Sequence, residues 1–158
     1  MDRRTAGRLI LAVSVANVAS SSLLAGIPGR KAVYQGGTLV APLARTEGVV
    51  STSDPDAFVF AWREGMLRLS YDDLNLLEYG QKAGRRLALG IVVSPLFLLS
   101  KKRKHYLTVG FVDAHGEQQA AVFELGKKIV RTTLAGLEAR TGLAVQYQDE
   151  EARKASAR

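Results

Sequence analysis

The 158-residue chain contains no cysteine. That excludes disulfides, thiolate metal sites and cysteine nucleophiles. It leaves the compartment open, because exported bacterial domains also do without disulfides. Histidine is scarce as well. His105 and His115 are the only two, and neither has a neighbour at metal-ligand spacing such as His-x3-His. Gly-x-Ser-x-Gly, P-loop and dinucleotide-binding fingerprints are missing. The segment "GQKAGRR" (residues 80–86) is too poor in glycine for a phosphate cradle. No apolar run reaches the roughly 20 residues that cross a bilayer as a helix. No catalytic constellation remains, so the expectation is a protein that is not an enzyme, with no cofactor and no metal.

What is present is a normal share of apolar residues, 47%, and an excess of positive charge, +7 overall. The length is that of one domain. The charge favours anionic partners such as lipid headgroups or nucleic acid and says nothing about fold. The first residues read "MDRRTAGRLILAVSVANVASSSLLAG". Arg3, Arg4 and Arg8 precede a short apolar run over 9–18, and small residues follow over 19–22. That order predicts a secretory signal over residues 1–22 and export to the periplasm or the extracellular space. Without those residues the formal charge falls from +7 to +5.

From Lys31 the apolar pattern has period two. "KAVYQGGTLV" alternates around Gly36 and Gly37, a turn or bulge signal. "EGVVSTSD" and "AFVFAW" flank the turn "DPD", residues 54–56. "MLRLSY" places Met66, Arg68 and Ser70 on one face and Leu67, Leu69 and Tyr71 on the other. "DDLNLLEYG", "HYLTVGFVDA" and "QQAAVFELG" read as further strands, the last two joined by the turn "DAHGE". The period then becomes helical. In "GKKIVRTTLAGLEARTG", Ile129, Val130, Thr133, Leu134 and Leu137 form one buried stripe. Lys127, Lys128, Arg131, Glu138 and Arg140 form the polar face. Gly142 stands where a left-handed residue ends a helix. "LAVQY" is expected to pack back on the sheet. Residues 146–158 read as a charged, flexible tail that frays or extends as helix. Trp62, Tyr71, Tyr79 and Phe123, on alternating strands, read as core. Asp54, Asp56, Asp72 and Asp73 read as turn and capping residues and not as a calcium site.

The pattern predicts a mainly β (α+β) fold: an antiparallel β-barrel or sandwich of about seven strands with one C-terminal amphipathic helix. "EGVVSTSDPDAFVFAWREGMLRLSYDDLNLLEYG" resembles the opening strands of bacterial pleckstrin-homology-like (PH-like) and GRAM-like domains. "SKKRKHYLTVGFVD" and "AAVFELGKKIVRTTLAGLEARTG" resemble the closing strands and helix of a group of uncharacterised exported bacterial proteins. The resemblance covers residues 31–145 and implies a PH-like fold. It carries no catalytic motif. The family's phosphoinositide motif is a set of basic residues in the first hairpin loop. That loop is expected here at "TSDPDAF", which is acidic, so the usual phosphoinositide mode is not expected.

The segment "RRLALGIVVSPLFLLSKKRKHY" (residues 85–106) departs from that pattern. Thirteen uncharged residues, 87–99, lie between basic clusters. As a helix they would be about 20 Å long, short of a hydrocarbon core of about 30 Å. Ser94 and Pro95 break such a helix in its middle and suggest a hairpin. Either this hairpin is core, covered on both faces, or its tip is exposed and dips into a bilayer or clasps a partner. In the second case Leu96, Phe97, Leu98 and Leu99 insert, each worth roughly 1.5–3 kcal/mol. Arg85, Arg86, Lys101, Lys102, Arg103 and Lys104 then attract headgroups, at about 1 kcal/mol each. The run "KKRKH" beside Tyr106 is also a pattern used on nucleic acid, but export argues against that partner. His105, among these cations, should hold its proton weakly. The expected function is a non-catalytic binding or adaptor module at an anionic membrane surface. The alternative is a protein-interaction or oligomerisation module using the same hairpin without lipid.

Overall fold

The computed structural model describes residues 30–81 and 103–157. The expected leader, 1–22, lies outside the described residues. So do Arg85, Arg86, Leu96, Phe97, Leu98, Leu99, Lys101 and Lys102.

Eight strands and two short helices make up the described fold. They are β1 (Lys31–Gly37), β2 (Thr46–Ser51), β3 (Ala57–Trp62), β4 (Gly65–Ser70), β5 (Leu74–Gly80), β6 (His105–Val112), β7 (Gln118–Leu125), α1 (Val130–Thr141), β8 (Gln146–Tyr147) and α2 (Glu150–Ser156). The strands form one sheet in the order β4-β3-β2-β1-β7-β6-β5-β8. Every pairing is antiparallel except β5 with β8, which is parallel. The expected alternation is visible in the packing. Tyr34, Phe58, Phe60, Leu77, Tyr79, Leu107, Val109 and Phe123, spaced two apart within their strands, meet in one core. Phe123 is at its centre, with ring centroids 5.7 Å from Tyr34, 5.4 Å from Phe58 and 5.3 Å from Phe60.

The sheet is curled but open. β4 and β5 stand six places apart in the strand order, yet only a 3-10 step over Tyr71–Asp73 joins them. Ser70 and Leu74 can be no more than about 14 Å apart at full stretch, so the sheet must wrap to bring these strands close. Helix α1 packs its stripe of Val130, Thr133, Leu134 and Leu137 onto the core. It ends at Gly142, in the left-handed region with φ 72°, whose N–H returns to Glu138 O at 2.9 Å.

The structure differs from the expectation in three places. An eighth strand and a second helix follow the expected single helix. Residues 146–157, read as a charged tail that frays or extends as helix, form β8 and α2, and Ala152 is fully buried. Asp149 caps α2 by accepting from Ala152 N at 2.7 Å. Third, the first hairpin loop is residues 38–45, joining β1 to β2, and not the acidic "TSDPDAF", which joins β2 to β3. Thr38 ends β1 by pairing with Ala120, and Arg45, at φ 66°, turns the chain back. This loop exposes Val40 and Leu43 and contains one cation, Arg45. Tyr71 donates from its hydroxyl to Thr52 O or Asp54 O, both at 3.3 Å, bracing the acidic loop.

Candidate functional site

Strand direction gathers basic side chains at one rim of the sheet. The register pairs Ala32 with Leu125, His105 with Leu125 and Gly80 with Tyr106. β1 and β6 therefore begin, and β5 and β7 end, along the same rim. After β7 the chain passes Gly126 into a 3-10 turn over Lys127–Ile129, which leads directly into α1. The two lysines of this turn line different clefts. Lys127 joins Gln81, Arg103, His105, Glu151 and Lys154 around a space of about 390 Å³. Lys128 lines a second space, of about 340 Å³, on the β2 side of the turn.

In the larger cleft, Arg103 pairs with Glu151 at 2.9 Å, an exposed contact worth little in water. Neighbouring Lys104 pairs with Glu124 at 2.9 Å, and Gln35 donates to the same carboxylate oxygen at 2.6 Å. The hydrogen bond to Glu124 strengthens the hold of Lys104 on its proton. Lys127 and Lys154 form no ion pair among the described residues, so the cleft keeps two uncompensated cations.

His105 forms the inner wall. Its Nδ1 lies 2.5 Å from Tyr79 Oη, and the two rings stack with centroids 6.1 Å apart. Burial, and then the charge of Lys127, pull its proton affinity below the ordinary histidine value. The direction matches the expectation, but desolvation is the larger cause. Burial also pushes the Tyr79 phenol up to about 12. The phenol therefore keeps its proton, and the direction of its bond to Nδ1 follows the imidazole tautomer. Among the described residues, Tyr79 is the side chain hydrogen-bonded to His105.

Two of the expected headgroup residues, Arg103 and Lys104, stand at this rim. The others, and the four expected insertion residues, lie outside the described residues. Sequence reasoning missed Lys127, Lys128, Lys154 and Arg30 as rim cations. Lys127 and Lys128 were read as part of a solvated helix face. The available signal was Gly126, which separates the strand from the helix and leaves both lysines on a turn at the sheet's end. Asp54 is a turn residue: it accepts from Asp56 N and Ala57 N, both at 3.0 Å, and pairs with Arg68 at 2.5 Å. Among the described residues no cluster of potential metal ligands occurs. No described helix is long and apolar enough to cross a membrane. Comparison with protein-family models, curated proteins and solved structures finds no match.

Proposed function

We propose that this chain is a non-catalytic binding module with a PH-like architecture that attaches reversibly to an anionic membrane surface through its basic rim and the apolar segment 87–99. One observation carries the reading. Lys104 N donates to Gln81 O at 3.3 Å, so the chain leaves the sheet after Gln81 and returns at Arg103 at a single point of the rim. That point opens on the cleft of Lys127 and Lys154. The thirteen uncharged residues are thus launched from the part of the molecule where positive charge is gathered. The PH-like reading is supported by a seven-strand antiparallel succession curled onto one helix. Apolar insertion and headgroup attraction together give reversible attachment and not permanent insertion.

The test is liposome flotation of residues 23–158, with and without anionic lipid, beside a Phe97→Asp/Leu98→Asp variant. Wild type should float only with anionic lipid, and the variant should stay in solution while keeping its circular dichroism spectrum. If wild type does not float and the variant unfolds, residues 87–99 are core and the membrane reading fails. If wild type self-associates and ignores lipid, the segment serves protein contact instead.

A further inference from the structure

The second cleft has the chemistry of an oxyanion site. It lies between the end of β2 and the first turn of α1, encloses about 340 Å³, and is lined by Arg30, Thr52, Lys128, Thr132 and Thr133 among others, none of them acidic. Helix α1 starts at this cleft without a side-chain cap and without an acidic residue in its first turn. The 3-10 turn over Lys127–Ile129 leads straight into it, with Ile129 N bonded to Gly126 O at 3.0 Å, and no acidic residue in its first turn offsets the positive end of its dipole. The side chain facing them across the cleft, Arg30, rests on hydroxyls and not on a carboxylate: Ser53 Oγ at 3.0 Å and Ser51 Oγ at 3.5 Å. Lys128 forms no ion pair among the described residues.

Thr133 supplies an independent observation. It is only 6% exposed, yet its hydroxyl has no hydrogen-bond partner among the described residues. A helical threonine ordinarily returns its hydroxyl to the carbonyl one turn earlier, as Thr141 does to Leu137 O at 2.7 Å. The Thr133 hydroxyl is not sealed in the core either: among the described residues, the one unpartnered side-chain polar atom fully shut from solvent is Tyr34 Oη. Its outlet is the cleft it lines. A buried hydroxyl held open toward two cations and a helix start calls for an acceptor with several oxygens.

We infer that this cleft binds a phosphate-type oxyanion, either as free phosphate or as the phosphomonoester headgroup of a lipid. Arg30 and Lys128 supply charge, Thr133 and Thr132 donate hydroxyls, and the start of α1 adds the positive end of its dipole. Tetrahedral geometry suits this set because its donors converge from a strand end, a turn and a helix, whereas a planar carboxylate would reach fewer of them. The inference stands apart from the membrane reading, although both concern the same rim.

The experiment is a ¹⁵N–¹H NMR titration of the full chain with inorganic phosphate at constant ionic strength. Saturable shifts should be confined to amides near residues 30, 52 and 128–133. Arg30→Gln and the near-isosteric Thr133→Val should each weaken binding about tenfold, and Thr133→Ser should retain it. Shifts that never saturate, or equal affinity in Arg30→Gln, would overturn the site even if Thr133→Val proved unstable. Flotation with phosphatidic acid vesicles then separates the sources. Displacement by inorganic phosphate supports the site with lipid as its ligand. Phosphate binding without displacement supports it with a soluble ligand. Phe97→Asp/Leu98→Asp should leave the phosphate titration unchanged, so failure of the membrane reading does not count against the site.

Discussion

Tyr34 places its hydroxyl among Phe60, Phe123 and the rest of the core with no hydrogen-bond partner among the described residues. Burial raises its proton affinity to about 12, so the group stays neutral throughout the working range. Removing an unpartnered buried hydroxyl removes a desolvation cost and no interaction. Tyr34→Phe should leave stability unchanged or raise it by about 1 kcal/mol, read by urea unfolding; a loss of that size would mean the hydroxyl has a partner. His105 gives the opposite kind of handle. Its folded proton affinity lies below the unfolded value of 6.5. The unfolded chain therefore binds more protons in this window, and stability must fall as pH drops below 6.5 toward the folded value. His105→Gln, which cannot titrate, should flatten the stability profile between about pH 6.5 and 5. Below that, carboxylates such as Asp54 and Asp113, whose proton affinities are depressed by Arg68 and by the Glu117 N–H respectively, add their own acid loss. An unchanged slope above pH 5 would show that the imidazole contributes no linkage.

At the scale of elements, α1 and α2 were unequally legible. The stripe of α1 is written in large residues at helical spacing, and those residues are the ones buried. Leu137 is wholly inside, so Leu137→Ala should cost about 2–5 kcal/mol. Helix α2 has no such stripe. It buries only Ala152 and Ser156, in a charged segment whose hydropathy reads as tail or solvated helix. Yet Gln148 N reaches Tyr79 O at 3.0 Å, Gln148 Nε2 donates to Glu78 at 3.2 Å and Ala152 is 0% exposed, so the segment is docked by backbone, polar side chains and one methyl group. Ala152→Glu should cost about 1–3 kcal/mol by overpacking, whereas Ala155→Glu, at a half-buried position on the same helix, should cost less. Equal, negligible effects would show that the helix does not pack. The misplaced first hairpin has a similar origin. "KAVYQGGTLV" alternates through Val40, but Thr38 turns to Ala120 and stops the ladder at Gly37.

On the whole molecule, the strand order decides where charge lies. Arg30, Arg103, the Lys127–Lys128 pair and Lys154 are far apart in the chain and line neighbouring clefts at one rim. The apolar loop tip of Val40 and Leu43 stands at the other end of β1. If the rim faces lipid, attachment should weaken steeply with salt, because the screening length falls from about 10 Å at 0.1 M to about 3 Å at 1 M. Lys127→Glu/Lys154→Glu should abolish flotation with anionic vesicles. Its melting temperature should stay close to wild type, since neither lysine has an ion-pair partner to lose among the described residues. Flotation that persists at 1 M salt would point to an apolar clasp without headgroup attraction.

The sequence by itself determined the mainly β class, the seven longer strands to within a few residues, the buried stripe of α1 and its left-handed stop at Gly142. Each is a local matter: side-chain period, turn chemistry and capping act over a few residues and leave their mark there. Only the tertiary structure decided that the sheet stays open, that β8 pairs with β5 in parallel, that Ala152 of α2 is buried, and that lysines read as a helix face line two clefts. Those outcomes depend on which strands become neighbours, and on backbone hydrogen bonds such as Lys104 N to Gln81 O that any residue type can make. A one-dimensional pattern carries no record of such contacts, so the rim existed in the sequence only as scattered charges.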